Sequence, residues 1–78
     1  MIKELLSKGA NVIDVRSPGE YQSGHYKGSK NIPLDQIDQK VAELKKLKGP
    51  IILCCASGMR SGSATSILRN KGFEDVHN

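Results

Sequence analysis

The sequence has no tryptophan, one phenylalanine and two tyrosines, and its two cysteines stand side by side. So sparse an aromatic set, not interleaved with the basic residues, offers no platform on which bases could stack, which argues against a nucleic-acid partner. No apolar run approaches the roughly 20 residues needed to span a bilayer, so no membrane role is expected. Cys54 and Cys55, as neighbours on an extended strand, point to opposite faces and do not staple a loop. The spaced Cys and His ligands of familiar zinc patterns are missing, so no metal is expected, and no other cofactor. No stretch is long and polar enough to read as disordered. With no secretory leader legible, two reduced thiols point to the cytoplasm.

What is present suits one small domain spanning 1–78. Apolar residues make up 37% of the 78, enough for a single compact core. A chain of this size buries only about 60% of the surface its unfolded form exposes, so that core is thin. The net charge of +4 comes from basic residues spread along the chain. Such charge reads first as a solvated surface, and second as a field favouring small anionic substrates.

Helix and strand signals alternate. Ile2 to Lys8 reads as a short helix with Ile2, Leu5 and Leu6 on one face, stopped by Gly9. Asn11 to Val15 reads as a strand covered on both faces. Ser17-Pro18-Gly19-Glu20 is a helix start: Ser17 caps, Pro18 suits the first helical position and Glu20 completes a capping box. A brief strand at Lys30 to Ile32 ends at Pro33. Asp35 then caps a helix whose stripe is Ile37, Val41, Leu44 and Leu47, with Lys40, Lys45, Lys46 and Lys48 on its flanks and end, where lysines suit the negative pole. After Gly49-Pro50, Ile51 to Cys54 is the clearest buried strand. A helix from about Arg60 to Asn70 turns Ala64, Ile67 and Leu68 inward and ends at Gly72. Phe73 to Val76 begins a last strand. This order predicts an α/β fold with a mostly parallel sheet and helices on both sides.

Cys55 sits where the buried strand ends and a helix begins, the edge at which open α/β sheets bind ligands. A helix N-terminus presents unpaired N–H groups and a positive pole, which favour a thiolate. The small residues Ala56, Ser57 and Gly58 allow successive amides to curl into an anion-binding nest. Met59 continues this loop, Arg60 adds a permanent charge with several donors, and Ser61 adds a hydroxyl. Cys55 is therefore the candidate nucleophile, whereas Cys54 continues the strand and reads as core.

These motifs resemble a family. Ile13-Asp14-Val15-Arg16-Ser17-Pro18-Gly19-Glu20-Tyr21, with Gly24-His25-Tyr26-Lys27-Gly28-Ser29-Lys30-Asn31-Ile32-Pro33, looks like the first signature of rhodanese domains. Cys55 to Ser61 looks like their active-site loop, and Gly72-Phe73 with Val76 matches the stretch beyond it. The resemblance covers residues 11 to 78. It implies a rhodanese-like three-layer α/β/α fold, shortened at both ends, with a sheet of about four to five strands. It also implies a thiosulfate sulfurtransferase. Cys55 would take sulfane sulfur from thiosulfate or a persulfide as a Cys55 persulfide, then pass it to cyanide or a thiol in a double displacement. Ala56, Ser57, Gly58, Met59, Arg60 and Ser61 would bind substrate, with Arg60 orienting the anionic donor and the amides stabilising thiolate and persulfide. The partners implied are a small anionic sulfur donor, a thiol or cyanide acceptor, and a protein carrying a persulfide.

Loop length bears on the alternatives. Phosphatases and arsenate reductases of the same fold place one more residue between cysteine and arginine; here there are four. A binding module that has lost turnover is the other alternative, and inactive versions commonly lack the cysteine. Asp14 and Arg16 would hold loops through hydrogen bonds and a salt bridge, and Arg16 is also a candidate for the anionic substrate's surroundings. His25 reads as structural, and Tyr21 and Tyr26 as packing over the short helix.

Overall fold

The computed structural model describes residues 6–55 and 59–77. Four strands form one sheet: β1 (Asn11–Asp14), β2 (Lys30–Asn31), β3 (Ile51–Cys54) and β4 (Val76–His77). Their order is β2-β1-β3-β4 and every pairing is parallel. The helices are α1 (Pro18–Ser23), α2 (Val41–Leu44) and α3 (Met59–Asn70). This is the expected α/β architecture. Of the anticipated first helix, Leu6 and Ser7 are helical, and Ile2 and Leu5 lie outside the described residues.

The alternation along β1 and β3 divides the sheet into two unequal faces. Ile13, Val15, Ile51 and Leu53 pack with Ile37, Leu44, Ala64, Leu68 and Val76 in one buried cluster. That cluster is the core, and α2 and α3 supply its outer wall. On the opposite face Val12, Ile52 and Cys54 meet Leu6 and Tyr26 around a cavity of about 120 Å³. Residues one apart on a strand point to opposite sides, so the two cysteines at the end of β3 belong to different layers.

The segment expected as one helix from Asp35 is not continuous. Two 3₁₀ turns, Leu34–Gln36 and Asp38–Lys40, precede the short α2. Pro33, rather than Asp35, occupies the N-cap position, and Asp35 falls in the first turn. The cause is an anchor: Leu34 N–H donates to the Val15 carbonyl at 3.1 Å, tying the segment to the end of β1. Leu34 and Ile37, three apart, then share a face in a three-residue turn, and Ile37 becomes fully buried. Lys40, at φ −100° and ψ 6°, interrupts the helix before Val41.

The last strand also differs, since Val76–His77 pairs with β3 while Phe73 stays outside the ladder. Phe73 instead packs beside the core, with the Lys45 ammonium 6.0 Å from its ring centre. Gly72, at φ +96°, ends α3 as a residue with a Cβ would not readily do. Gly49 is constrained differently: a Cβ there would lie 2.7 Å from the Gly9 carbonyl oxygen. Ile67 is half-buried, while Ala64 and Leu68 are fully covered.

Candidate active site

Cys55 follows the apolar run of β3 at the carboxyl edge of the sheet, one residue beyond Cys54. The Cys54 carbonyl accepts from Val15 N–H at 3.0 Å, so the ends of β1 and β3 are pinned together. The half-buried Cys55 side chain lies against the core cluster. The first turn of α3 supplies its polar partner: Ser61 N–H donates to Cys55 Sγ at 3.3 Å. The thiol in turn reaches Ser61 Oγ at 3.5 Å. A backbone donor at the positive end of a twelve-residue helix thus points at the sulfur. Ser61 is itself buried, and its carbonyl accepts from Thr65 Oγ1 at 2.8 Å, which fixes that first turn.

Cys54 differs in every respect. It faces the thin side of the sheet beside the apolar cavity. Burial pushes its thiol pKa up, and the negative charge of Asp14 adds to that, against a smaller opposing effect of Arg16. It is a poor source of thiolate.

Arg60, the second residue of α3, does not point free into solution. Its Nη1 and Nη2 donate to Glu20 Oε1 and Oε2 at 2.7 and 2.9 Å, a two-pronged ion pair across forty positions of sequence. Glu20 is placed for this by the capping box at the start of α1. Ser17 Oγ accepts from Glu20 N–H at 3.4 Å, and Glu20 Oε1 accepts from Ser17 N–H at 3.1 Å. The Arg60 hydrogen bonds, followed by those from Ser17, lower the Glu20 carboxyl pKa to about 2. The carboxylate is charged at any working pH. Sequence reasoning read Glu20 as a helix cap and missed its second partner. The usable signal was its position: a helix opening directly after β1 lies at the same sheet edge as the cysteine loop.

Arg16 is occupied as well. Its Nε and Nη2 grip the buried Asp14 carboxylate at 2.7 to 3.0 Å, and Nη2 also donates to the Gly24 carbonyl at 2.6 Å. Arg16 N–H adds a further bond to Asp14 Oδ1 at 2.9 Å. Burial raises the Asp14 pKa, but the bonds and charge of Arg16 outweigh it, and the net shift is downward. Asn31 Nδ2 completes the corner by donating to the carbonyls of Asp14 and Arg16. Arg16 therefore ties the buried Asp14 carboxylate to the loop after β1.

The remaining expected site residues divide simply. Met59 opens α3 with its side chain largely exposed. Ala56, Ser57 and Gly58 lie outside the described residues. His25 stacks on Tyr21 with ring centres 3.7 Å apart, and the Tyr21 hydroxyl donates to the Ser29 carbonyl. Beside Arg60 runs a groove of about 270 Å³ walled by Val15, Pro18, Pro33 and Leu34. No cluster of three or more His, Cys, Asp or Glu side chains is placed to hold a metal among the described residues. No helix among them is long and apolar enough to cross a membrane.

Comparison with known proteins places this geometry. A family model described as the rhodanese-like domain matches residues 1–78. The chain is 42% identical over 69 residues to the uncharacterised protein YqhL of Bacillus subtilis, covering 88% of this chain and 54% of that protein. It is 44% identical over 75 residues to the thiosulfate sulfurtransferase GlpE of Pseudoalteromonas translucida, covering 95% and 70% respectively. A solved Escherichia coli structure described as a rhodanese with anions superposes with a TM-score of 0.81 at 34% identity, covering 88% of this chain and 82% of that one. The chain thus spans about half the length of the Bacillus relative and about seven tenths of the Pseudoalteromonas one.

Proposed function

The chain belongs to the rhodanese-like domain family, and on that premise we propose that it is a sulfurtransferase whose carrier is a persulfide on Cys55. The observation that carries the reading is the Ser61 N–H aimed at Cys55 Sγ from the mouth of α3. That donor supports the thiolate before attack and the inner sulfur of the persulfide afterwards. The thiosulfate sulfurtransferase relatives supply the class of reaction.

In the first half-reaction the Cys55 thiolate attacks the outer sulfur of the donor. A sulfur–sulfur bond forms at Sγ, the donor's own bond to that sulfur breaks, and the leaving group departs with the electron pair. With thiosulfate the leaving group is sulfite; with a persulfide it is a thiolate. In the second half-reaction a thiol or cyanide attacks the outer sulfur of the Cys55 persulfide and regenerates the thiolate. A cysteine that enters the reaction as its thiolate needs no general base. Arg60 sits within electrostatic reach of Cys55 and orients the donor with the N–H groups that Glu20 leaves unused. Ala56, Ser57 and Gly58 add loop amides on the sequence argument above. We assign this work to residues 1–78 acting as one cytoplasmic domain, with a small sulfur donor and a thiol acceptor as partners.

The test is turnover. Parent protein supplied with a sulfane donor and cyanide should release thiocyanate with ping-pong kinetics, and Cys55→Ala should release none above the uncatalysed rate. Equal rates for parent and variant would sink the assignment.

A further inference from the structure

The edge of the sheet opposite Cys55 carries a recess that sulfur chemistry does not use. Ile51 opens β3 and Cys55 follows its last residue, about 13 Å away at the rise of a strand. Around Ile51, the side chains of Leu44, Leu47 and Phe73 wall a cavity of about 280 Å³, with Lys45 beside them. Backbone bonds hold these walls in place. Ile51 N–H donates to the Asp75 carbonyl at 2.9 Å, Phe73 N–H to Leu68 at 3.1 Å and Leu47 N–H to Leu44 at 3.1 Å.

The lysines at this edge lack the purpose that the sequence suggested for them. Lysines late in a long helix answer its summed dipole, but α2 is only four residues long. Ion pairing does not account for them either. Lys40 meets Glu43 and Lys71 meets Asp38, whereas no carboxylate among the described residues pairs with Lys45, Lys46 or Lys48. All three are exposed, and the Lys8 carbonyl lies beside Gly49, so a fourth lysine shares the edge. Asp75, also in the lining, is engaged by His77 Nε2 at 2.6 Å.

From the apolar recess and the lysines left without carboxylates, we infer that this edge docks an acidic protein segment. One apolar side chain of that segment enters between Leu44, Leu47, Ile51 and Phe73, and its carboxylates face Lys45, Lys46 and Lys48. The inference is independent of the Cys55 reading, and a partner seated here leaves the Cys55 edge open.

The division of labour follows from where each group lies. Seating an apolar side chain in the hollow removes apolar area from water and supplies the anchor. Charge pairs on an exposed rim add little affinity each, but they steer the encounter and fix orientation. A nucleic acid fits less well, because it would need rings to stack on. Phe73, the only phenylalanine, packs beside the core with Lys45 over its ring. A bilayer surface takes up apolar groups that stand proud of their lysines, and here they line a hollow.

The probe is a nine-residue peptide of aspartates and glutamates around one central leucine, titrated into isotope-labelled protein by NMR and followed by fluorescence anisotropy. Amide shifts should move at residues 44–51 and 71–75 and stay in place around Cys55. Replacing the peptide's leucine by serine, at unchanged charge, should weaken binding at least about tenfold. That comparison needs no altered protein. Lys46→Glu, an exposed change clear of the cavity lining, should weaken the leucine peptide about fivefold. Equal binding of the two peptides would reduce the edge to a general attractor of anions and overturn the inference. Shifts centred on Cys55, or no binding at millimolar peptide, would overturn it too. So would tighter binding of a single-stranded oligonucleotide of equal charge or of phosphatidylserine vesicles, which would give the edge to another class of partner.

Discussion

Cys54 and Cys55 are joined by one peptide bond and live in different layers. Cys55 lies against the thick core side of the sheet and takes a backbone hydrogen bond from the first turn of α3. Cys54 faces the thin side, beside an apolar cavity and with its thiol pKa pushed up by burial. The pleat of β3 therefore gives the same side-chain chemistry two different surroundings. On the proposed function, what separates the reactive cysteine from the inert one is the helix end on its face of the sheet, not the local sequence alone.

The largest effect expected of breaking this contrast is on chemistry. Cys55→Ser should reduce sulfur transfer by at least on the order of 10³, while far-ultraviolet circular dichroism stays that of the parent. Next comes the core that holds the loop. Leu68→Ala, on the thick face, should cost about 2–5 kcal/mol in urea unfolding, a large share of a small domain's stability. Val12→Ala, on the thin face, should cost about 1 kcal/mol, because it empties space already adjoining a cavity. Equal costs would mean that the two faces carry the fold alike.

A smaller effect belongs to the corner after β1. The Asp14 carboxyl pKa is depressed, so its contribution is complete above the ordinary value of 3.8 and is lost as pH falls through the lower native value. Asp14→Asn should lower the melting temperature by roughly 5–10 °C at neutral pH. The gap from the parent should narrow below pH 4, as the parent carboxylate protonates too; a gap constant down to pH 2 would contradict the role given to Arg16. The smallest effect is that of Cys54→Ala, which should leave transfer within about twofold of the parent and cost about 1 kcal/mol.

Much of this was legible beforehand because local rules and global fold agree. The run Ile51 to Leu53, the capping box at Ser17 and Glu20, and the Gly72 stop each follow from one residue's chemistry, and each stands in the structure. The parallel sheet follows from alternation. What was not legible depended on contacts far apart in sequence. The helix expected from Asp35 broke into 3₁₀ turns because the Val15 carbonyl captures Leu34 N–H. The pairing of Arg60 with Glu20 was hidden because nothing nearby in sequence announces a partner forty positions earlier. The salt bridge expected between Asp14 and Arg16, two residues apart, is by contrast present. Periodicity reports which face is apolar; it does not report which charge meets which.

The comparison between the two thiols comes down to which one carries the sulfur. After loading the parent with a sulfane donor, fragmentation mass spectrometry of the peptide that spans Cys54 and Cys55 locates the added atom directly. The account predicts one extra sulfur, on Cys55, with Cys54 unmodified. Sulfur found on Cys54, or shared equally between the two, would contradict it.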